Sequence, residues 1–256
     1  MANTIKMHKL GLIGFPLSHS FSKQHFDYKF KQENIKNFTY SLYEIQNLKY
    51  LENMILKKNI IGLNVTRPYK RSIIKYLDEL DEISQKTKAV NTIFIHPKTK
   101  KKIGFNTDAI GFEKLFLNCN YSKNTKGLIL GSGGAAQTIS YVLKKMQIEH
   151  KVVSRSPREK MIDYANLENC MQNYQLIINT TPLGQYPHID NFPSIPYNLI
   201  SKKHICIDLI YNPIKSLFLK KSHIQGAQVL NGKKMLIAQA DKSWYIWQKM
   251  IQQYNV

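Results

Sequence analysis

Midway along the chain an apolar stretch, Gly127-Leu128-Ile129-Leu130, runs straight into Gly131-Ser132-Gly133-Gly134-Ala135-Ala136 and then into a helically spaced segment, residues 137–146. Gly131, Gly133 and Ala136 fit the GxGxxG/A spacing. In that spacing the glycines permit a tight turn and a close approach of backbone to a pyrophosphate, and the helix N-terminus adds amide donors and partial positive charge. The spacing also arises in any glycine turn between strand and helix, so the surrounding chain decides its meaning. The next predicted strand, residues 151–153, ends where an NAD enzyme carries an acidic residue for the ribose hydroxyl, about 20 residues on. This chain has Ser154-Arg155-Ser156-Pro157-Arg158 there. Two guanidinium groups and two hydroxyls suit a 2′-phosphate and favour NADP(H) over NAD. Without the glycine loop the same string reads as a solvated basic turn.

The rest of the pattern alternates strand and helix. Residues 9–14 read as a buried strand ending in Phe15-Pro16-Leu17-Ser18-His19-Ser20, residues 28–32 as helix, and 38–43 as an alternating strand. Residues 60–65 form another apolar strand before Thr66-Arg67-Pro68-Tyr69-Lys70, followed by helical spacing over 70–80 and a strand over 89–95. Residues 104–108 read as a turn that opens a further helix. Beyond the glycine loop, 176–184 and 205–213 are apolar strands running into polar loops. This alternation predicts an α/β fold with parallel sheets, the second of them doubly wound, and places ligands at the C-terminal ends of strands.

The chain has 256 residues, enough for two modest domains with their own cores. No window approaches the roughly 18 apolar residues of a membrane span, and no signal-peptide order opens the sequence, so the expectation is a cytoplasmic protein without a membrane partner. Cys119, Cys170 and Cys206 lie far apart with no CxxC pair, which fits free thiols and no metal. The net charge of +20 raises nucleic acid as a partner. Its lysines are spread along the whole chain and its only arginines are Arg67, Arg71, Arg155 and Arg158, so a groove reader's concentrated arginine is missing. No specific nucleic-acid partner is expected. The turn with Ser18, His19 and Ser20 is not a hydrolase elbow, because no GxSxG accompanies it.

In order and spacing, nine strings together resemble the shikimate dehydrogenase family over nearly the whole chain. They are Pro16 with Leu17-Ser18-His19-Ser20, Asn64-Val65-Thr66-Arg67-Pro68-Tyr69-Lys70, Ala89-Val90-Asn91-Thr92, Asn106-Thr107-Asp108, the glycine loop, Ser154-Arg155-Ser156, Asn179-Thr180-Thr181-Pro182-Leu183-Gly184, residues 208–213, and Asn231-Gly232 with residues 235–240. The resemblance implies NADPH-dependent, reversible reduction of 3-dehydroshikimate to shikimate, on the route to chorismate and the aromatic amino acids. It also implies site roles. Ser18 and Ser20 hold the substrate carboxylate, helped by Tyr211. Thr66, Lys70, Asn91, Asp108 and Gln239 face the ring hydroxyls and the reacting oxygen. Glu82, Leu209 and Gly232 match positions near the cofactor, with Gly131, Ser132, Gly133, Gly134, Ala135, Ser154, Arg155, Ser156 and Arg158 binding its phosphates. Ser154 stands where the family usually has Asn.

Hydride addition to a ketone leaves negative charge on oxygen, which a lysine can meet with charge or with a proton. Lys70 and Asp108 are therefore the catalytic candidates, although alone they read as a helix-start lysine and a helix cap. The expected organisation is a substrate domain, 1–108, completed by a C-terminal helix, 232–256, and a Rossmann-type NADP domain, 109–231, with substrate in a cleft that closes over ligand. The expected state is a monomer or homodimer. A quinate/shikimate enzyme of broader specificity and a basic nucleic-acid-binding protein are the alternative functions.

Overall fold

The structure, a computed structural model, describes residues 7–17, 20–117 and 119–255. They form two compact units, one of residues up to Thr107 with those from Ala240 onward, the other from Asp108 to Gln239.

The first unit is built on a six-stranded sheet. Its strands in chain order are β1 (His8–Gly14), β2 (Phe38–Glu44), β3 (Ile60–Val65), β4 (Glu79–Leu80), β5 (Thr92–Ile95) and β6 (Lys102–Phe105), arranged β2-β1-β3-β5-β6-β4. Pleating sends Leu10, Leu12 and Phe94 to one face, where they pack with Phe26 and Phe30 of α1 (Ser22–Gln32) and with Trp244 and Trp247. Ile13, Ile93 and Ile95 go to the other, against Leu51 and Ile55 of α2 (Leu51–Lys58). A third helix, α3 (Glu82–Thr87), follows β4.

The second unit's strands are β7 (Gly127–Leu130), β8 (His150–Ser154), β9 (Ile162–Asp163), β10 (Leu176–Asn179), β11 (Ile205–Asp208) and β12 (Gln228–Asn231). They lie in the order β12-β11-β10-β7-β8-β9 and every pair is parallel. β7, β10 and β11 are buried along their whole length, which is why they read as continuous apolar runs. The chain reverses direction across the sheet between β7 and β10, the switch point where open α/β sheets bind ligands. Helices α4 (Asp108–Phe116), α5 (Gly134–Lys145), α6 (Leu217–Ile224) and the start of α7 (Lys233–Gln253) complete the unit, α7 continuing into the first. Among the described residues no helix is long and apolar enough to cross a membrane.

The α/β class with a doubly wound second sheet agrees with the sequence; three local readings differ. First, the sheet of the first unit is not wholly parallel, because β5 runs antiparallel to both β3 and β6. A tight turn at residues 96–101 makes β5 and β6 a hairpin, with Lys100 in the left-handed region at φ 61°. Second, residues 70–80 are not one helix: a short 3-10 helix, Ser72–Tyr76, gives way to β4. Strand pairing captures the end of that segment. Lys102 donates its backbone N–H to the Asp78 carboxylate at 2.7 Å, Asp78 donates its own to Lys102 O at 2.9 Å, and Glu79 lies opposite Ile103. Third, Gly104 and Phe105 remain in β6, which leaves only Asn106 and Thr107 as the turn before α4.

Candidate functional site

In the first unit the predicted polar groups gather at one edge of the sheet. Thr66 follows β3 and donates its backbone N–H to Ile13 O at 2.9 Å, and Phe15 N–H reaches back to Arg67 O at 3.0 Å. The loops after β1 and β3 are thereby stitched together. Tyr69 closes the second loop, donating its N–H to Thr66 O at 2.9 Å and its hydroxyl to Ile45 O at 2.6 Å, and Lys70 O accepts from Val90 N at 2.8 Å. Thr66 and Lys70 are half-buried. Reversal of β5 explains how Asn91 joins them: the start of an antiparallel strand lies at the C-terminal end of its neighbour. Asn91 O accepts from Val65 N at 2.8 Å. Its buried side chain accepts from Thr107 N at 2.7 Å and donates to Thr107 Oγ1 at 2.9 Å. Ser20 sits in the turn before α1, with its N–H on Leu17 O at 3.0 Å and its hydroxyl accepting from Ser22 N at 3.3 Å. Ser18 and His19 lie outside the described residues.

In the second unit the glycine loop spans the switch point. Gly131 has φ +105°, and a Cβ there would lie 3.0 Å from both Thr180 Oγ1 and Thr181 Cγ2, so no other residue fits without strain. Gly133 caps α5 with no side-chain hydrogen bond, and a Cβ on it would meet nothing within 4 Å. Open space above glycine at an uncapped helix N-terminus fits a pyrophosphate. Ser132 and Ser154 hydroxyls meet at 3.2 Å, linking this loop to the end of β8. Ser154 is buried and also accepts from Ser156 N at 3.3 Å. Arg155, Ser156 and Arg158 are exposed beyond it, and the Arg155 charge is felt by the Tyr164 phenol, which burial pushes up to about 12. Gly134 and Ala135 form the first turn of α5.

Gly232 lies against the Leu209 backbone: a Cβ on Gly232 would stand 2.1 Å from Leu209 O. Tyr211 is half-buried in the loop after β11. Gly111, one turn after Asp108 on α4, packs against α7, where a Cβ would meet Met235 O at 2.7 Å and Gln239 Cβ at 3.1 Å. Asp108 itself is buried, and Gln239 donates Nε2 to Leu236 O at 2.9 Å. Glu82 differs from the rest of its predicted group. It belongs to the first unit, where it is exposed and ion-paired with Lys86 at 2.5 Å, which lowers its pKa. Among the described residues no group of three or more His, Cys, Asp or Glu side chains could hold a metal ion.

Sequence reasoning gave no role to Asn179, Asp208 and Ser216, which form a buried hydrogen-bonded group at the ends of β10 and β11 and the start of α6. A lone carboxylate closing an apolar strand was the available signal.

Comparison with known proteins agrees with this arrangement. Residues 12–93 match the family model described as the shikimate dehydrogenase substrate binding domain. A shikimate dehydrogenase (NADP(+)) of Methanococcus maripaludis is 38% identical over 93% of this chain and 90% of its own. The crystal structure of shikimate dehydrogenase 1 from Peptoclostridium difficile is 35% identical and superposes with a TM-score of 0.83 over 95% of this chain and 92% of that one. A crystal structure of shikimate dehydrogenase in complex with NADP+ gives 32% identity and a TM-score of 0.82 over 95% of this chain and 90% of its own. The chain belongs to the shikimate dehydrogenase family.

Proposed function

We propose that this protein is an NADP-dependent shikimate dehydrogenase, reversibly reducing 3-dehydroshikimate to shikimate in chorismate and aromatic amino-acid biosynthesis. One observation carries the reading. In a chain related to these enzymes along almost its whole length, the switch point of the second sheet holds a glycine cradle, and Arg155 and Arg158 follow the next strand. NADPH, when bound, supplies the hydride that reduces the carbonyl carbon.

The chain's own residues supply the rest. The tight turn at Gly131, the open space above Gly133 and the first helical turn at Gly134 and Ala135 receive the pyrophosphate, while Ser132 and Ser154 hold the loop that presents Ser156, Arg155 and Arg158 to the 2′-phosphate. Leu209 and Gly232, which lie against each other, take the nicotinamide. Lys70 meets the negative charge that grows on the carbonyl oxygen, directly as a proton donor or as a fixed cation, and Asp108 accepts a hydrogen bond that orients the reacting groups. Ser18, Ser20 and Tyr211 hold the carboxylate, and Thr66, Asn91 and Gln239 the ring hydroxyls. Glu82, exposed and salt-bridged, is assigned at most the outer cofactor surface. Residues 1–108 with 232–256 serve the substrate and 109–231 the cofactor; the two compact units favour a two-part division, although they group Asp108 and residues 232–239 with the second unit.

The same reading takes the enzyme as a cytoplasmic monomer or homodimer with no specific nucleic-acid partner; DNA retention at physiological salt argues against it. NADPH oxidation on addition of 3-dehydroshikimate is the direct test. Its absence in the folded protein overturns the assignment.

A further inference from the structure

Asp208 ends β11 with its side chain fully buried. Its Oδ1 accepts from Ile210 N at 3.0 Å and from Asn179 Nδ2 at 3.1 Å, and its Oδ2 meets Ser216 Oγ at 2.5 Å. Ser216 is the N-cap of α6 and accepts in turn from Leu219 N at 3.4 Å. One carboxyl thus closes both ends of the loop 209–215. Other anchors of that loop reach it from neighbouring segments: Leu209 N–H donates to Asn179 O and Gly232 N–H to Ile210 O, each at 3.0 Å, and Tyr186 N–H donates to Asn212 O at 3.1 Å. On its far side Asn179 Oδ1 accepts from Thr181 N at 3.0 Å and Thr181 Oγ1 at 2.7 Å. Thr181 borders the Gly131 turn. A continuous run of contacts therefore joins the glycine cradle to the loop that carries Leu209 and Tyr211.

We infer that Asp208 is a positioning residue, whose carboxyl sets the conformation of the loop 209–215 and through it the placement of the Leu209–Gly232 pair and of Tyr211. The inference rests on the functional reading above for what that pair touches. Burying a carboxyl is unfavourable unless its oxygens are filled, and an apolar residue would serve the core better if folding were the only demand. Two oxygens with several lone pairs can gather three donors from three segments, which an apolar side chain cannot. Burial pushes this carboxyl up to about 7, against the opposing effect of Ser216, Ile210 and Asn179. Near neutrality it therefore exchanges between a form that donates to Ser216 Oγ and one that accepts from it. The titratable groups beside it, the Tyr197 phenol and the Cys206 thiol, are themselves pushed up by burial and stay neutral in that range.

The test compares wild type, Asp208→Ala, Asp208→Asn and Ser216→Ala by three measurements. These are hydrogen exchange of residues 209–215 in the ligand-free protein, NADPH affinity by fluorescence titration, and the pH profiles of KM and kcat. Asp208→Ala is expected to lose protection at Ile210 and weaken NADPH binding at least about tenfold. Asp208→Asn, whose amide still accepts from Ile210 and donates to Ser216, is expected to recover most of both and to lose the inflection near 7 expected of wild type. Unchanged exchange and affinity in Asp208→Ala overturn the proposal. If that variant fails to fold, unchanged exchange in Ser216→Ala together with a wild-type pH profile in Asp208→Asn overturns it equally. A wild type that folds but never oxidises NADPH with 3-dehydroshikimate refutes the functional reading instead, and the exchange data still judge Asp208.

Discussion

At the edge of the first sheet the polar groups are side chains, with Ser20, Thr66, Lys70 and Asn91 held by backbone hydrogen bonds between the loops after β1 and β3 and the start of β5. At the corresponding edge of the second sheet the loop after β7 offers backbone, with Gly131 forced into positive φ and open space above Gly133. The difference matches two kinds of ligand. A small ring with several hydroxyls needs donors and acceptors aimed in different directions, whereas a pyrophosphate is held by a row of amides and tolerates no side chain between.

The largest effect that would break this contrast is at Lys70. Lys70→Ala should lower kcat by at least about a hundredfold with a smaller change in substrate KM, since its charge matters most as the oxygen becomes negative. Equal losses in both would make it a binding residue. Asp108→Asn, a change of charge at constant shape, should reduce turnover with the fold retained; wild-type turnover by steady-state kinetics would remove it from the reaction.

Two glycine substitutions separate space from strain on the backbone edge. Gly133→Val places its Cβ where nothing stands within 4 Å, so the melting temperature should stay near wild type while KM for NADPH rises at least about tenfold. Gly131→Ala adds a Cβ at φ +105° and should lower stability by about 1–3 kcal/mol before cofactor is considered. A destabilised Gly133→Val would mean that the apparent room is needed by the fold.

Arg155→Ala should raise KM for NADPH about tenfold and leave KM for NADH nearly unchanged, since one charge-assisted hydrogen bond of about 1.5–3 kcal/mol suffices and NADH has no phosphate to lose. Arg158, farther along an exposed turn, should contribute less because solvent screens it. Equal weakening of both cofactors would make Arg155 a loop-shaping residue.

How far these features could be read from sequence depended on their physical range. β7, β10 and β11 were legible because strands buried on both faces are continuous apolar runs, and Gly131 because a tight turn leaves few choices of residue. The direction of β5 was not, since a buried run such as Thr92-Ile93-Phe94-Ile95 looks the same whichever way it pairs. Residues 70–80 misled because the spacing of Ile73, Ile74 and Leu77 suits a 3-10 turn as well as an α-helix, and the pairing of Glu79 with Ile103 is a long-range event. Asp208 was visible as a residue but not as a hub, because Ser216 lies eight positions away and Asn179 twenty-nine. Glu82 entered only through resemblance, and its salt bridge to Lys86 is an ordinary i, i+4 pair on an exposed turn.

The smallest effect concerns the two buried polar interiors. In the first unit Tyr40 OH donates to Asn64 Oδ1 at 2.8 Å, Asn64 Nδ2 donates to Ser243 Oγ at 3.0 Å, and Ser243 Oγ meets Thr92 Oγ1 at 2.7 Å and Thr107 Oγ1 at 3.1 Å. Its members are amides and hydroxyls, and burial pushes the Tyr40 phenol well above its ordinary value, so nothing there changes charge near neutrality. Ser243→Ala should cost about 1 kcal/mol, because Asn64 and Thr92 keep other partners in Asn91. That loss should be the same at pH 5 and pH 8. In the second unit the Asp208 carboxyl sits at about 7 in the folded chain against an ordinary 3.8, so the folded protein retains a proton that the unfolded chain has released. Its contribution to stability is therefore greatest below the unfolded value, falls as pH rises between the two, and levels off above about 7. Denaturant unfolding of wild type, Ser243→Ala and Asp208→Asn across that window separates the two interiors. Ser243→Ala should run parallel to wild type, and Asp208→Asn should show a shallower decline; a decline of wild-type steepness in Asp208→Asn would mean that another group titrates and that the second interior is as neutral as the first.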